Sequence, residues 1–132
     1  LTGDKSGTTT VTSGEWLTLV IHITAEQALT DLTCGVLLRD RFGQDIYGVN
    51  THHLQAALRL QAGERARLDF RIRAELASGP YTLTVALHSA DNHLDQCYHW
   101  CYNLLHLEVA GVSDHAFAGV CRLPTALEVN ST

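Results

Sequence analysis

The chain has 132 residues, a formal net charge of −5 and 45 % hydrophobic residues, which is typical of one soluble globular domain and excludes a disordered chain. The negative charge disfavours nucleic acid as a partner, because a nucleic-acid site needs a basic patch. No apolar run is long enough to span a bilayer, and no secretory signal is visible. Since methionine is absent, we expect a fragment of a longer polypeptide: one domain over residues 1–132 with its core at about 15–124.

Apolar residues that alternate with polar ones predict strands in the first half of the chain. The first predicted strand covers Trp16–Ala25, and the second covers Leu32–Leu38. A turn at Asp40–Gly43 leads into a short strand from Asp45 to about Asn50. These elements are short and closely spaced, as they are in sandwiches and barrels.

The second half continues the same pattern. Residues 65–73 alternate most regularly, with arginines on the polar side next to Asp69, which we interpret as a solvated sheet face. A turn at Ser78–Pro80 precedes a strand that starts at Tyr81. Another predicted strand ends with Leu105, Leu107 and Val109, and a last one is predicted at Phe117–Leu123. The sequence therefore predicts an all-β, mostly antiparallel sandwich of about seven or eight strands.

Tyr81 adds a more specific signal for the type of sandwich. It lies near the start of its strand, two residues before the inward-facing Leu83. A tyrosine in that position resembles the tyrosine corner of immunoglobulin-like sandwiches.

The four cysteines do not form a disulfide pattern. Two of Cys34, Cys97, Cys101 and Cys121 lie in apolar alternating strands, where cysteine behaves as a small core residue. A domain of this length does not need disulfides to fold. We therefore predict four reduced thiols and a reducing compartment.

Neither metal binding nor catalysis is favoured. Cys97 and Cys101, with His93 and His99 nearby, form one candidate zinc cluster, but a second closely spaced ligand pair is missing. No nucleophile elbow or phosphate-binding glycine loop occurs. Acidic residues are available near this segment, but nothing in the sequence pairs them as a glycosidase requires. We predict a domain that is not an enzyme and that needs no cofactor.

Sugar binding has better support, because a pyranose needs an aromatic face and several hydrogen-bonding groups. The segment His88–Tyr102 combines both kinds of side chain, and we interpret it as a binding loop beside a sheet face. The alternative is that Tyr98 and Trp100 only cover the end of the core. The candidate carbohydrate-binding residues are Arg39, Thr84, His88, Asn92, Tyr98, His99, Trp100 and His106.

Four stretches resemble one known family. The hairpin Val36–Thr51 is the most specific, and Gly79–His88, Leu105–Val109 and Phe117–Pro124 fit the same pattern. Together they are similar to the C-terminal carbohydrate-binding domain of Wzt proteins, the nucleotide-binding subunits of ABC transporters that export O-antigen polysaccharides.

The resemblance implies an immunoglobulin-like or jelly-roll sandwich behind an ATPase domain that this chain lacks. Such a domain recognises the modified non-reducing end of a lipid-linked polysaccharide. Its partner would be the transporter's membrane subunit, at the cytoplasmic face of the bacterial inner membrane. Arg39, Asn50 and Thr51 match motif positions, either for sugar binding or for the hairpin turn.

The resemblance also implies a homodimer that exchanges its last strand, Phe117–Leu123. The connection Ala110–Ala116 is short, and a short hinge favours donating the strand to a neighbour. Two alternatives remain open at this stage: a purely structural dimerisation sandwich and a zinc-binding domain without sugar recognition.

Overall fold

The computed structural model describes residues 2–3, 9–56, 58–89, 97–112 and 115–130, with side chains for 9–56, 58–88, 105–112 and 115–130. The described residues form nine strands and no helix. The strands are β1 (Thr2–Gly3), β2 (Thr10–Ser13), β3 (Trp16–Thr24), β4 (Leu29–Asp40), β5 (Asp45–Asn50), β6 (Leu58–Leu60), β7 (Arg65–Arg73), β8 (Gly79–Ser89) and β9 (Cys97–Val112).

The strands form two sheets. One sheet has three strands in the order β1-β3-β7, and the other has the order β2-β9-β8-β4-β5 with β6 also paired to β4. Pairing is antiparallel except between β2 and β9, which run parallel. The all-β sandwich predicted from the sequence is confirmed.

The core lies between the sheets because each long strand turns its apolar positions to one side. In β3 and β7, Leu17, Leu19 and Phe70 face inward and are buried, whereas the β7 arginines on the opposite face are exposed. The buried inward residues of the larger sheet are Val11, Cys34, Val36, Leu38, Tyr81, Leu83, Val85, Leu107 and Val109. Arg67 pairs with Asp69 at 2.8 Å on the outer face of β7, in agreement with a solvated sheet face.

Tyr81 forms the predicted tyrosine corner. Its hydroxyl donates a hydrogen bond of 2.7 Å to the carbonyl oxygen of Ala77, four residues upstream. The ring is buried, and this burial, together with the charge of Asp40, raises the pKa of the Tyr81 hydroxyl. The bond fixes the entry of β8 into the larger sheet.

Strand β9 is longer than the sequence predicted. The interpretation of His88–Tyr102 as one loop is wrong at both ends, since β8 continues to Ser89 and β9 begins at Cys97. The cause is the neighbouring strand: β8 has backbone groups that must be paired, and residues 97–101 pair with them despite two register shifts.

The predicted last strand, Phe117–Leu123, is also different in the structure. This segment consists of bends with one isolated bridge, in which Cys121 pairs with Leu76. The backbone amide of Arg122 donates to the Glu75 carbonyl at 2.8 Å. The Arg122 side chain is buried and pairs with the Glu75 carboxylate at 2.8 Å. The segment is therefore held against its own chain by a buried ion pair as well as by backbone bonds.

Two cysteines have described side chains, and both are free thiols. Cys34 is fully buried, and desolvation raises the pKa of its thiol to about 11. Cys121 is exposed. The side chains of Cys97 and Cys101 lie outside the described residues. Over the described ranges, no helix of a length and hydropathy suited to crossing a bilayer occurs.

Candidate functional site

A cavity of about 250 Å³ opens on the outer face of the larger sheet, where β5, β4 and β8 lie side by side. It contains two of the residues predicted from the sequence to bind sugar, Thr84 and His88. The residues that line it are Gly35, Val36, Leu37, Gly48, Val49, Asn50, His53, Thr84, Ala86 and His88.

The floor of this cavity consists of residues with little or no side chain. Gly35 at the centre of β4 pairs with Asn50 of β5 on one side and with Ala86 of β8 on the other. Gly48 lies opposite Leu37, where an added Cβ would approach Leu37 Cδ1 to 3.3 Å. Glycine inside a strand often marks a close approach of another group to the backbone. Here the glycines leave a depression that the surrounding side chains border.

The turn at 51–56 forms one wall of the cavity and carries His53. The backbone amide of His53 donates to Asn50 Oδ1 at 2.7 Å. Thr51 is buried; its Oγ1 accepts from the Cys34 amide at 3.1 Å, and its own amide donates to the Cys34 carbonyl at 3.0 Å. Asn50 thus closes the turn locally and Thr51 fixes it to β4, so their hydrogen bonds serve the turn.

Thr84 and His88 come from β8, on the side of the strand that faces away from the core. Thr84 is buried even there, at 1 % exposure, whereas His88 is half-buried. With Asn50 and His53 opposite, the cavity brings together a hydroxyl, an amide and two imidazoles. Side chains of these types hydrogen-bond readily to the hydroxyls of a hydroxyl-rich ligand.

Arg39 and His106 lie on the same sheet but outside this cavity. Both are in register with Thr82, Arg39 from β4 and His106 from β9. Thr82 is six residues from His88 along β8, which corresponds to about 20 Å. Arg39 also pairs with Asp45 at 2.7 Å. The predicted set is therefore divided between two ends of one sheet face.

The aromatic candidates are on the strand next to the cavity. The register of β9 places Trp100 opposite Ala86 and His99 opposite Leu87, and Tyr98 belongs to the same strand. Trp100 is therefore in the same row across the sheet as Gly35. The side chains of these three residues, and the whole of Asn92, lie outside the described residues.

Sequence reasoning missed part of the cavity. The candidates predicted from the sequence do not include four of its residues: His53, Gly35, Gly48 and Ala86. Asn50 matches a motif position of the family. Gly35 and Gly48 interrupt otherwise alternating strands, and that interruption was the available signal. His53 had no comparable signal, because only the fold of the turn brings it to the sheet face.

A larger cavity, of about 700 Å³, opens between the two sheets along the edge strands β5 and β7. Its walls include core side chains such as Ile46, Phe70 and Ile72, and it contains none of the predicted sugar-binding residues. This cavity is a gap in the side of the sandwich. Among the described side chains, no cluster of three or more His, Cys, Asp or Glu residues is arranged to hold a metal.

Comparison with known proteins identifies relatives of the fold. The family model of the Wzt C-terminal domain matches residues 1–123. A solved structure, the crystal structure of the C-terminal domain of wzt, superimposes with a TM-score of 0.82 at 18 % sequence identity. The match covers 92 % of this chain and 74 % of the other. No curated protein sequence matches the chain.

Proposed function

The chain belongs to the Wzt C-terminal domain family, and we propose that it recognises the modified non-reducing end of a lipid-linked O-antigen polysaccharide. The family consists of non-catalytic carbohydrate-binding domains of ABC transporters. The proposal includes an ATPase domain on the same polypeptide and a membrane subunit as its partner. It also places the domain at the cytoplasmic face of the inner membrane.

The observation that carries the sugar-binding proposal is the cavity on the outer sheet face. Its floor is made by Gly35, Gly48 and Ala86, so a flat ring can approach the backbone closely. Its rim offers a hydroxyl, an amide and two imidazoles, side chains that hydrogen-bond sugar hydroxyls. The register places Trp100 directly beside this floor, and an aromatic residue there would supply the apolar contact that a pyranose face needs.

The direct test is binding of the source strain's own surface polysaccharide, measured by calorimetry. The intact polysaccharide should bind. The same polysaccharide without its terminal sugars should bind at least tenfold more weakly, which is a loss of at least about 1.4 kcal/mol in binding free energy. Equal binding after trimming would contradict recognition of the end, and no binding to either form would contradict the sugar-binding function.

We further propose that the domain dimerises by exchanging its C-terminal segment, with the exchanged residues shifted from Phe117–Leu123 to the tail at 123–130. The tail is exposed throughout, including Leu127 at 86 % and Val129 at 85 %. Strand β7 is an edge of the smaller sheet and borders the large cavity. An exposed apolar segment is complementary to a sheet edge that lies next to an apolar gap.

The existing pairing predicts how the tail would fit. Leu76 pairs with Cys121 in antiparallel register. If the tail of a second copy paired with β7 in this same register, Leu127 would lie opposite Phe70 and Val129 opposite Leu68, all on the core side. Pro124 follows the paired segment and cannot donate a backbone hydrogen bond, so it favours a change of chain direction there. We therefore infer that the tail occupies the β7 edge of a second copy.

Sedimentation analysis at micromolar concentration tests this dimer. The unaltered chain should be dimeric, and Leu127→Asp with Val129→Asp should shift it to monomer, because two carboxylates cannot enter the apolar gap. Glu128→Ala is the matched control, since residue 128 would face away from the core. A monomeric unaltered chain, or a dimer that survives both aspartates, would contradict strand exchange.

A further inference from the structure

A second cavity, of about 280 Å³, lies next to the candidate sugar site on the other side of the turn at 51–56. We propose that it is a subsite for the next sugar of the chain, so that the sheet face binds at least two consecutive residues. This inference depends on the proposed sugar-binding function. The residues that line the second cavity are Asp31, Leu32, Thr33, His52, Gln55, Ala56 and Leu58.

The two cavities are neighbours along the same strand. Thr33 borders the second cavity and Gly35 forms the floor of the first. They are two residues apart on β4, a distance of about 6.7 Å, which is comparable with the length of one pyranose unit. A polysaccharide that enters the first cavity by its end would therefore have its next residue near the second.

The turn also links the two cavities. Its consecutive histidines are divided between them, with His53 at the first cavity and His52 at the second. The turn is closed by hydrogen bonds from the Gln55 amide to the His52 carbonyl at 3.0 Å and from the Ala56 amide to the Thr51 carbonyl at 2.8 Å. One hydrogen-bonded turn thus presents an imidazole on each side.

Gln55 is in an unusual conformation for its residue type. Its φ of 57° lies in the left-handed region, which glycine and asparagine adopt more readily than glutamine. This strained residue is one of those that line the second cavity. Strain of this kind often accompanies a binding role, and an amide that both donates and accepts suits a sugar hydroxyl.

The chemistry of the second cavity favours a neutral, hydroxyl-rich ligand over a cation. Among the described residues that line it, Asp31 supplies the single carboxylate, whereas cation sites in proteins generally combine several oxygen ligands. A carboxylate beside a hydroxyl (Thr33), an imidazole and an amide resembles the polar set that sugar hydroxyls need.

The experiment compares oligosaccharides of increasing length, released from the source strain's polysaccharide with their native non-reducing ends intact. For the unaltered domain, affinity should rise at least fivefold from the terminal monosaccharide to the disaccharide. In the double variant His52→Ala, Gln55→Gly, that rise should disappear while monosaccharide affinity stays within about twofold. The glycine would relieve the left-handed strain at this position, so loss of folding is not expected. His22→Ala with Gln61→Ala is the control, because both positions are exposed and lie outside both cavities.

The outcomes separate this inference from the proposed function. If the unaltered domain binds no oligosaccharide, the sugar-binding function itself is wrong. If it binds them but affinity does not depend on length, or if the double variant keeps the full rise, only the second subsite is wrong. An equal loss at every length would also overturn the subsite, because it would place His52 and Gln55 at the terminal sugar.

Discussion

Gly35→Val is expected to raise the dissociation constant for the polysaccharide end at least tenfold while the domain stays folded. Gly35 lies at the centre of the cavity floor, so the valine methyl groups would occupy the space that the sugar ring needs. An added Cβ would make only ordinary contacts, with Asn50 Cβ at 3.6 Å and the Val49 carbonyl oxygen at 3.9 Å. Valine also suits a strand better than glycine.

The same substitution should therefore raise the free energy of unfolding slightly, by about 0.5 kcal/mol or more. Binding by calorimetry and stability by urea denaturation measure the two effects independently. Thr24→Val, an exposed position on the smaller sheet, is the control and should leave binding unchanged. If the folded Gly35→Val domain binds as well as the original, the ligand does not enter this cavity. Gly35→Ala repeats the test with a smaller side chain if valine disturbs the strand.

Arg122→Ala is expected to lower the free energy of unfolding by about 2 kcal/mol, through the loss of charged hydrogen bonds and of packing. The guanidinium is 3 % exposed and forms an ion pair of 2.8 Å with Glu75. It also donates to the His115 carbonyl at 3.0 and 3.2 Å and lies 4.8 Å from the centre of the Phe117 ring. The alanine removes the guanidinium donors from the His115 carbonyl. Glu75 keeps its ion pair with Arg73, at 2.6 Å.

Arg65→Ala is the matched control, because Arg65 is an exposed arginine on β7, and it should change stability by less than about 0.5 kcal/mol. Limited proteolysis should cut the Arg122→Ala chain near residues 115–123 faster than the original, since this segment loses its attachment to Glu75. A stability loss below about 1 kcal/mol would mean that the backbone bonds of the segment hold it without the buried ion pair.

The sequence by itself determined the strands whose alternation is regular and the fold class that follows from them. Residues 65–73 alternate so strictly that their buried and exposed faces, and hence strand β7, could be assigned directly. Tyr81 could be recognised as a tyrosine corner, because its hydrogen bond is local and reaches only four residues back along the chain. The outward position of Thr84 and His88 on β8 also follows from local pattern, because side chains in a strand alternate with a period of two.

The tertiary structure decided everything that depends on a distant partner. Residues 97–102 have no regular alternation, and they form a strand because β8 offers backbone groups to pair with beside them. Phe117–Leu123 has strand-like composition but forms only one bridge among the described residues, because Arg122 is drawn to Glu75, 47 residues away. Such pairings are set by the fold as a whole, so local pattern does not encode them.

The candidate site shows the same division. Alternation indicates which face of a strand a residue occupies, but strand order and register determine which residues become neighbours across the sheet. Gly35 lies next to Asn50 and Ala86 only because β4 is paired with both β5 and β8. His53 reaches this face only because Thr51 fixes the turn to Cys34. A cavity made from three strands and a turn therefore exists only after the sheet has formed.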